Sequence, residues 1–295
     1  MSKRVFFSII IPCFNRAELI RTTLKSILDQ PFKNLEVIIV NDGSTDETKP
    51  VIASIQDTRV RYFEIPNSER GAARNYGLAI AEGVYVNYFD SDDLFLPCLE
   101  ELHIFLKNTN YPSVVYGSIQ HLDANGIYNV SKNFPQTSFT KNLLYNNFLA
   151  CGSVFLKNEV AREFMFHADR RLSSAEDWEL WLRVHTKYFF TNSSIPVFKQ
   201  LEHVGRSLNQ LDPLKIESRD AYFATVIGKS QDLFDFYGES PINLFLADRY
   251  TFIALAWSGQ NWSKTFFYWL KAFTTSWSVV IRKRFWAVFF KLIFR

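Results

Sequence analysis

The chain has 295 residues, of which 47% are hydrophobic and 21% are charged, and its formal net charge at pH 7 is +3. This length and apolar content suit one elaborated α/β domain with an appendage. They exclude the class of small proteins that cannot bury a hydrophobic core of their own. The three cysteines are odd in number and show no Cys-Xaa-Xaa-Cys spacing, which argues against structural zinc and favours a reducing cytosol.

Short apolar runs alternate with helical patterns from residue 6 to residue 108. Runs of strand length without polar alternation, typical of parallel strands covered on both faces, occupy residues 6–12, 36–41, 60–64 and 85–89. Apolar residues at three- and four-residue steps predict helices over residues 16–30, 46–55, 70–81 and 96–108. The alternation predicts a βαβ series with right-handed crossovers. Lys3 and Arg4 precede only a short apolar stretch, so the first run is interpreted as a strand and not as a signal peptide.

Polar residues follow three of these predicted strands at their carboxyl ends, where open α/β sheets bind ligands. The first strand runs into PCFNR at 12–16, the second into NDGSTD at 41–46 and the fourth into DSDD at 90–93. Carboxylates packed at the end of a buried strand are electrostatically costly unless a cation lies between them. The cluster at 90–93 therefore suggests a divalent metal that holds an anionic ligand, and the expected ligand is a diphosphate.

Helix capping is the structural alternative for these loops, because Asp, Asn and Ser after a strand often cap the next helix. Asn15 with Glu18 forms a capping box, and Ser44 opens a sequence typical of a helix start. Capping explains Asp42 and Arg74 less well.

Four segments, in this order and at these separations, resemble the nucleotide-sugar half of glycosyltransferase family 2, whose members are inverting enzymes of the GT-A fold. They are SIIIPCFNR at 8–16, VNDGSTD at 40–46, GAARNYGLA at 71–79 and YFDSDD at 88–93. The resemblance implies a mostly parallel, Rossmann-like α/β sheet flanked by helices. It implies metal-dependent transfer of a sugar from a nucleotide diphosphate sugar, expected to be a UDP-sugar, to a hydroxyl acceptor. The family commonly serves cell-surface polysaccharide, lipopolysaccharide or glycolipid synthesis.

The resemblance also implies roles for single residues. Pro12 and Phe14 would border the nucleobase, and Asp42 would accept a hydrogen bond from the ring N–H. Arg74 would lie near the base or the phosphates. Asp90 would reach the ribose. Asp92 would coordinate the Mn²⁺ or Mg²⁺ ion that bridges the two phosphates, and the other nucleotide-sugar contacts would come from Asn15, Ser91 and Arg206.

An acidic pair opens the helix predicted at residues 173–184. Acidic residues favour helix N-termini through the dipole, and this is the structural interpretation for Glu176 and Glu179. Asp177 matches the Glu-Asp-Trp pattern of the family, which implies that it is the catalytic base, on the face of the sugar opposite the leaving diphosphate.

A histidine follows the strand predicted at residues 195–200. His203 resembles the family's His-containing loop, which closes over the diphosphate and completes the metal's coordination, although a purely structural histidine is the alternative. Imidazole beside a carboxylate suits Mn²⁺ somewhat better than Mg²⁺. Arg206, three residues later, is a candidate phosphate clamp.

The region from about 108 to 150 is polar and rich in Asn, with Asn125-Gly126 marking a hairpin-like turn and a short strand expected at 151–155. We expect this region to shape acceptor recognition. The predicted domains are a catalytic domain at 1–210, with a nucleotide-sugar half at 1–108 and an acceptor half at 109–210, and a helical C-terminal region at 211–295.

The last 47 residues are aromatic and basic. They contain no acidic residue, eight basic residues and five of the seven tryptophans, a composition typical of a membrane interface. Lys264, Lys271 and the basic run at 282–284 interrupt the apolar stretches well short of the roughly 20 residues that a bilayer core requires. On a helix, Arg284, Lys291 and Arg295 would form a basic stripe, which suits an interfacial helix. Packing on the catalytic domain or a dimer contact is the alternative.

The predicted partners are a nucleotide-sugar donor, a glycan or lipid-linked glycan acceptor, and a membrane surface, with a cytoplasmic location on the inner face of the membrane. Nucleic acid is not expected, because residues 1–248 hold all 30 acidic and only 25 of the 33 basic residues. Two rival functions remain. A sugar-nucleotide pyrophosphorylase would carry a Gly-rich loop where this chain has PCFN at 12–15, and a non-catalytic nucleotide-sugar binder would lack Asp177.

Overall fold

The structure is a computed structural model that describes residues 5–122, 128–130, 134–201 and 212–293. The chain divides into two compact units. The first comprises residues 1–170 and 187–203, and the second comprises residues 171–186 and 204–295. The first unit is built around a β-sheet, and the second is helical.

The first unit begins with strands and helices in alternation, as the sequence predicts. The strands are β1 (Phe7–Cys13), β2 (Leu35–Asn41), β3 (Val60–Glu64) and β4 (Tyr85–Tyr88), and the connecting helices are α1 (Ala17–Leu28), α2 (Thr48–Ala53) and α3 (Arg70–Ile80). β1 pairs with β2 and with β4, and β2 pairs with β3, always in parallel. Every residue of β1 and β2 is buried, which explains why both strands are apolar without polar alternation.

Small residues on α3 let this helix approach the sheet closely. Ala73 is fully buried, and a side chain at Gly77 would overlap the Cγ2 atom of Ile10 on β1. The alanine and glycine of the GAARNYGLA segment therefore have a packing role. Their position also holds Arg74, on the same helix, close to the loop that follows β4.

The second part of the sheet mixes strand directions. The described strands have the order β3-β2-β1-β4-β8-β6-β9-β5, and β7 pairs with β6. The additional strands are β5 (Leu94–Phe95), β6 (Val114–Leu122), β7 (Tyr128–Val130), β8 (Val154–Lys157) and β9 (Phe190–Lys199). β8 is antiparallel to both β4 and β6, whereas β9 is parallel to β6. The helices α4 (Leu99–Asn108), α5 (Gln136–Tyr145) and α6 (Asn158–Glu163) complete the described part of this unit.

Several local predictions differ from the structure, and among them the strand predicted at 195–200 begins earlier, at Phe190. The helix predicted from residue 96 begins at Leu99, because residues 94–95 pair with β9 as β5. The strand predicted at 151–155 begins at Val154, because Cys151–Ser153 form a 3-10 turn. β6 was not predicted, although it is an interior strand. The turn predicted at Asn125-Gly126 lies outside the described residues.

The second unit consists of helices in its described part. They are α7 (Glu176–His185), α8 (Pro213–Ile227), α9 (Gln231–Tyr237), α10 (Glu239–Trp257), α11 (Trp262–Thr275) and α12 (Lys283–Ile293), and a 3-10 turn, Trp277–Ile281, connects the last two. α10 packs against α8, α11 and α12, and its Ala247, Ile253 and Ala254 are fully buried. Among the helices that the structure describes, none has both the length and the apolar content to cross a bilayer.

Ion pairs within the second unit change the interpretation of the basic C-terminal helices. Arg284, predicted to join a basic stripe on an interfacial helix, instead lies 3.2 Å from the Asp248 carboxylate, and Lys264 lies 2.7 Å from that of Glu217. Asp220 and Asp248 both pair with Arg249. The acidic partners precede residue 249, so the composition of the last 47 residues alone does not reveal them. Arg295 lies outside the described residues.

Candidate active site

Three loops converge at one edge of the sheet, at the carboxyl ends of β1, β2 and β4. β1 lies between β2 and β4, and its last residue, Cys13, is in register with Asn41 at the end of β2. We call this edge the rim and define it by residues 12–16, 41–48 and 89–93. The predicted convergence of these three loops is therefore present in the structure.

Asn15 joins two of the rim loops instead of capping a helix. Its Oδ1 atom accepts a hydrogen bond from the Thr45 N–H at 2.8 Å, and its own N–H donates to the Ser44 hydroxyl at 2.9 Å. The predicted capping box with Glu18 is wrong, because α1 begins only at Ala17 and has no side-chain cap at its N-cap residue. The positive φ of Asn15, 51°, suits an asparagine and directs its side chain to the neighbouring loop.

The start of α1 is held by the loop after β2. The Thr48 hydroxyl accepts a hydrogen bond from the Arg16 N–H at 2.8 Å, and the Asp46 carboxylate accepts one from the Ala17 N–H at 3.2 Å. These bonds satisfy the free N–H groups of the helix end. Sequence reasoning missed this role, because the partners lie about 30 residues apart and only the fold brings them together.

Asp42, which is predicted to bind the base, is part of the rim, and only 4% of it is exposed. Its two carboxylate oxygens accept hydrogen bonds from the N–H groups of Ser68, at 2.6 Å, and Glu69, at 2.9 Å. Burial raises the pKa of the Asp42 carboxyl above its usual value, and these two hydrogen bonds oppose the rise. Each oxygen keeps a second lone pair for a ligand donor. Phe14, predicted beside the base, is 44% exposed, whereas Pro12 is buried.

Arg74 is buried under the loop after β4. Its guanidinium lies 2.8 Å from the Asp90 carboxylate and 5.0 Å above the ring centre of Phe166. The Arg74 side chain is 2% exposed, whereas that of Asp90 is 41% exposed. The structure therefore links these two predicted residues, with the arginine as an internal support and the carboxylate at the surface of the rim.

We expect the Arg74→Ala variant to be clearly less stable than the wild type. The substitution leaves a cavity beside Phe166 and removes the cation next to Asp90. Breaking a buried ion pair costs roughly 3–5 kcal/mol. Because Asp90 is partly solvated, we expect the free energy of unfolding to fall by less, about 2 kcal/mol. The corresponding fall in melting temperature is about 4–8 °C by thermal unfolding. Lys49→Ala, which removes an exposed ion pair with Glu64, is the control and should not change the melting temperature. Equal melting temperatures for all three proteins would contradict the support role of Arg74.

The carboxylates at 90–93 form a compact set of oxygen donors. Asp90, Asp92 and Asp93 each offer an oxygen atom, and these atoms lie within 4.8 Å of one another. Two ligand oxygens on opposite sides of a Mg²⁺ ion lie about 4.2 Å apart, so a small adjustment brings this set around one ion. All-oxygen donors of this kind suit Mg²⁺ and Mn²⁺. The residues present therefore fit the predicted metal.

The loop that carries these carboxylates is held from two sides. The Thr23 hydroxyl of α1 lies 3.1 Å from the Ser91 carbonyl oxygen and 2.9 Å from that of Asp93. Asp93 is buried and accepts a hydrogen bond from the Leu201 N–H at 2.9 Å. Asp92 is the partner of Arg16, whose guanidinium lies 3.4 Å away. Arg16 is thus a cationic group at the rim to which sequence reasoning assigned no role.

Ser91 and Cys13 are hydrogen-bonded to each other within the rim. Burial raises the pKa of the Cys13 thiol to about 12, although the hydrogen bond from Ser91 opposes this, and burial raises that of Cys98 to about 12 as well. Cys151 is also buried. The Cys13 and Cys98 thiols are therefore protonated at neutral pH, and all three thiols are buried.

We expect no cysteine of the native protein to react rapidly with a thiol reagent at pH 8. With a pKa of about 12, Cys13 and Cys98 each have only about one thiolate in 10,000 molecules at that pH. A chromogenic disulfide should report three thiols only after unfolding in denaturant. Rapid labelling of Cys13 in the native protein, located by peptide mass, would contradict the buried position of the end of β1.

Asp177 lies in the first turn of α7, in the second unit. One of its carboxylate oxygens accepts a hydrogen bond from the Trp178 N–H at 2.7 Å. The neighbouring Glu179 is buried and pairs with Arg183, 2.6 Å away along the same helix, which supports its structural interpretation. Trp178 packs on Phe223 and Phe245 and is part of the core of that unit. The role of Asp177 as base stays a prediction.

Two predicted site residues cannot be placed on this framework. His203 and Arg206 lie outside the described residues, so their roles also stay predictions. The described chain approaches this segment at Leu201, whose N–H is bonded to Asp93.

A family model matches the part of the chain that carries the rim, and a relative of known name matches more than half of the chain. The model described as Glycosyl transferase family 2 matches residues 8–164. The Escherichia coli protein UDP-Glc:alpha-D-GlcNAc-diphosphoundecaprenol beta-1,3-glucosyltransferase WfaP is 33% identical over 183 residues, which cover 61% of this chain and 70% of WfaP. This chain spans only 27% to 60% of the length of four other relatives, all uncharacterised glycosyltransferases of Rickettsia.

Two solved structures share the fold. S. aureus TarS 1-349 in complex with UDP-GlcNAc has a TM-score of 0.68 at 18% identity, over 92% of this chain and 81% of that chain. Mannosyltransferase PcManGT from Pyrobaculum calidifontis, in complex with GDP-Man and Mn2+, has a TM-score of 0.55 at 17% identity, over 99% of this chain and 88% of that chain. At this identity the similarity shows a shared fold and nothing about function. It confirms the predicted GT-A type of α/β sheet with a helical C-terminal region.

Proposed function

The chain belongs to glycosyl transferase family 2, and on this premise we propose that it transfers a sugar from a nucleotide diphosphate sugar to a hydroxyl group of an acceptor, with inversion at the anomeric carbon. The expected donor is a UDP-sugar. The observation that carries the proposal is the set of three carboxylates at the rim, within 4.8 Å of one another, at the sheet edge that also holds Asp42.

The rim residues would hold the donor along its length. Pro12 and Phe14 would border the base, and a lone pair of the Asp42 carboxylate would accept its ring N–H. Asp90, supported by Arg74, would face the ribose. Asn15, which is bonded to the loop at 44–45, and Ser91 would supply further contacts to the nucleotide sugar. A nucleotide sugar requires an exposed ring beside the base, an acceptor for the ring N–H and a carboxylate at the surface. Phe14, Asp42 and Asp90 are such groups.

Asp92, together with Asp90 or Asp93 and with His203, would hold a Mn²⁺ or Mg²⁺ ion. When bound, this ion would offset the negative charge that develops on the departing diphosphate. Arg16 lies 3.4 Å from Asp92 and would donate hydrogen bonds to the phosphate groups of the same diphosphate. Arg206 is proposed as a second phosphate contact.

Asp177 would act as the general base. The acceptor oxygen forms a bond to the anomeric carbon while the bond from that carbon to the diphosphate oxygen breaks, through an oxocarbenium-like transition state. The hydroxyl proton passes to the Asp177 carboxylate, and the electron pair of the broken bond leaves with the diphosphate. Attack from the opposite face inverts the configuration.

The acceptor is proposed to be a glycan carried on a lipid, in the synthesis of a cell-surface polysaccharide, lipopolysaccharide or glycolipid. The name of the relative WfaP, which specifies a diphosphoundecaprenol-linked acceptor, supports this class. The chain would then work at the cytoplasmic face of the membrane. Within it, residues 1–210 would form the catalytic domain and residues 211–295 a helical region next to the acceptor's lipid.

A donor screen tests the proposal. The full chain is incubated with labelled UDP-sugars, Mn²⁺ and lipid-linked sugar acceptors, and the products are separated. Transfer to the acceptor, or slow release of free sugar without an acceptor, is the expected result. Exchange of pyrophosphate into nucleoside triphosphate would instead identify a pyrophosphorylase, and binding without turnover would identify a nucleotide-sugar binder.

A further inference from the structure

The last helices of the second unit expose an unusual number of large apolar side chains. Within the described chain, nineteen such side chains are exposed, and ten of them lie in residues 262–293. On α11 they recur as Trp262, Phe266 and Leu270, at four-residue steps, and on α12 Trp286 and Phe290 repeat the same spacing. Side chains at this spacing share one face of a helix, so each helix presents an apolar stripe outwards.

Ring contacts connect the two stripes into one surface. Trp262 stacks on Phe266 at 5.3 Å, and Phe266 lies 6.3 Å from Trp269, which also stacks on Phe289 of α12 at 5.7 Å. From Phe289 the contacts continue to Trp286 at 5.6 Å and to Phe290 at 5.9 Å. The exposed rings of α11 and α12 are therefore connected through the half-buried rings of Trp269 and Phe289.

The 3-10 turn between the helices extends this surface. Trp277 is 73% exposed and Ile281 is 70% exposed, the two highest values among the large apolar side chains of the described chain. The Trp286 indole N–H donates to the Val280 carbonyl at 2.7 Å, which ties the turn to α12. We call this surface the aromatic face, and its principal residues are Trp262, Phe266, Trp277, Ile281, Trp286 and Phe290.

The aromatic face lies at or above the upper end of the apolar patches on ordinary soluble surfaces. An aromatic side chain has roughly 150–250 Å² of surface, so the six principal side chains, which are 40–73% exposed, together present on the order of 500–800 Å². The largest patch on a typical monomer is about 300–600 Å², and larger ones mark an interaction site. A partner that covers apolar surface is therefore expected.

The charges around the face select the kind of partner. Lys283 and Lys291 are exposed on α12, and neither forms an ion pair among the described residues. In contrast, Arg249, Arg284 and Lys264 are paired with acidic side chains inside the unit. Because residues 249–295 contain no acidic residue, nothing in this segment balances the two exposed lysines.

We propose that the aromatic face docks on the headgroup region of an anionic phospholipid bilayer, with α11 and α12 lying along the surface. Tryptophan is enriched at that depth, and lysines beside an apolar helix face bind anionic headgroups. A second copy of the chain fits less well, since docking through the same face would bring Lys283 and Lys291 of both copies together without an acidic partner from residues 249–295. The docking is independent of sugar transfer, so its test does not depend on the proposed activity.

Vesicle flotation tests the docking with the full chain. We expect the wild type to float with vesicles of phosphatidylcholine containing about 30% phosphatidylglycerol and to bind pure phosphatidylcholine much less. The double variant Trp277→Ser, Ile281→Ser should lose at least about tenfold in the partition coefficient, because two exposed apolar side chains no longer enter the bilayer. The double variant Lys283→Glu, Lys291→Glu should lose at least about tenfold in the partition coefficient, on the anionic vesicles only.

Matched controls and oligomeric state make the test decisive. Ile104→Ser with Phe189→Ser removes two side chains of similar exposure, 55% and 58%, outside the aromatic face, and should float like the wild type. Circular dichroism confirms that each variant is folded. Equal flotation of the Trp277, Ile281 variant and the wild type would overturn the proposal. It would also be overturned if the wild type ignored lipid and sedimented as a dimer that this variant converts to a monomer.

Discussion

Asp177→Asn should lower the rate of sugar transfer by about 100- to 10,000-fold, the usual worth of a general base, while the affinity for UDP stays unchanged. Asparagine has nearly the same shape as aspartate, and its amide oxygen still accepts the Trp178 N–H, so the start of α7 is preserved. Single-turnover transfer from a labelled UDP-sugar measures the rate, and calorimetry measures UDP binding. The reduction should appear in kcat and not in the donor KM.

The control for this variant is Asp232→Asn, which removes a carboxylate from the first turn of α9 in the same unit. Asp232 is exposed, and no role in the reaction is assigned to it. Its transfer rate should match the wild type. A folded, UDP-binding Asp177→Asn protein with a rate near that of the wild type would remove Asp177 from the mechanism and leave the rim assignments intact.

Asp92→Asn should abolish the effect of the metal on donor binding and lower kcat/KM by about 1,000-fold. Replacing a charged ligand by a neutral amide weakens the hold on the ion, and a fixed positive charge at the departing diphosphate is worth several kcal/mol. The comparison is UDP affinity with Mn²⁺ and with a chelator, for the wild type and the variant. The two affinities should differ for the wild type and coincide for the variant.

Asp29→Asn provides the matched control for Asp92→Asn, because Asp29 is an exposed aspartate of the first unit at the end of α1. It should retain the metal effect in full. If Asp92→Asn bound UDP as tightly as the wild type and still responded to Mn²⁺, the carboxylate set at the rim would not be the metal site.

The sequence predicted the elements that are buried on both faces most accurately. β1 and β2 are continuous apolar runs because helices cover the sheet on both sides there, and a run of that length and type is typical of a strand buried on both faces. The convergence of the three loops at the rim could then be predicted, since parallel strands place their carboxyl ends at one edge of the sheet. β6 escaped prediction because its segment contains Gly117, Ser118, Gln120 and His121, which weaken the strand pattern.

The contacts that shape the rim were beyond sequence reasoning. The bonds from Asn15 to the loop at 44–45, and from Arg16 to Thr48, join residues that are 29 to 32 positions apart. A local pattern such as a capping box describes only what lies within one turn, so it predicted the wrong partner for Asn15. The same limit applied to the C-terminal helices. Arg284 and Lys264 form ion pairs with Asp248 and Glu217, which lie outside the segment whose composition was considered.

The central claim is that Asp92 holds the metal of the diphosphate and that Asp177 is the base that takes the acceptor's proton. A crystal structure of the full chain with Mn²⁺ and UDP tests it most directly. The account predicts an ion bonded to an Asp92 oxygen and to both phosphates, with the Asp177 carboxylate lining the cleft that the sugar would occupy. A metal bound away from Asp92, or an Asp177 carboxylate on a remote surface, would contradict it.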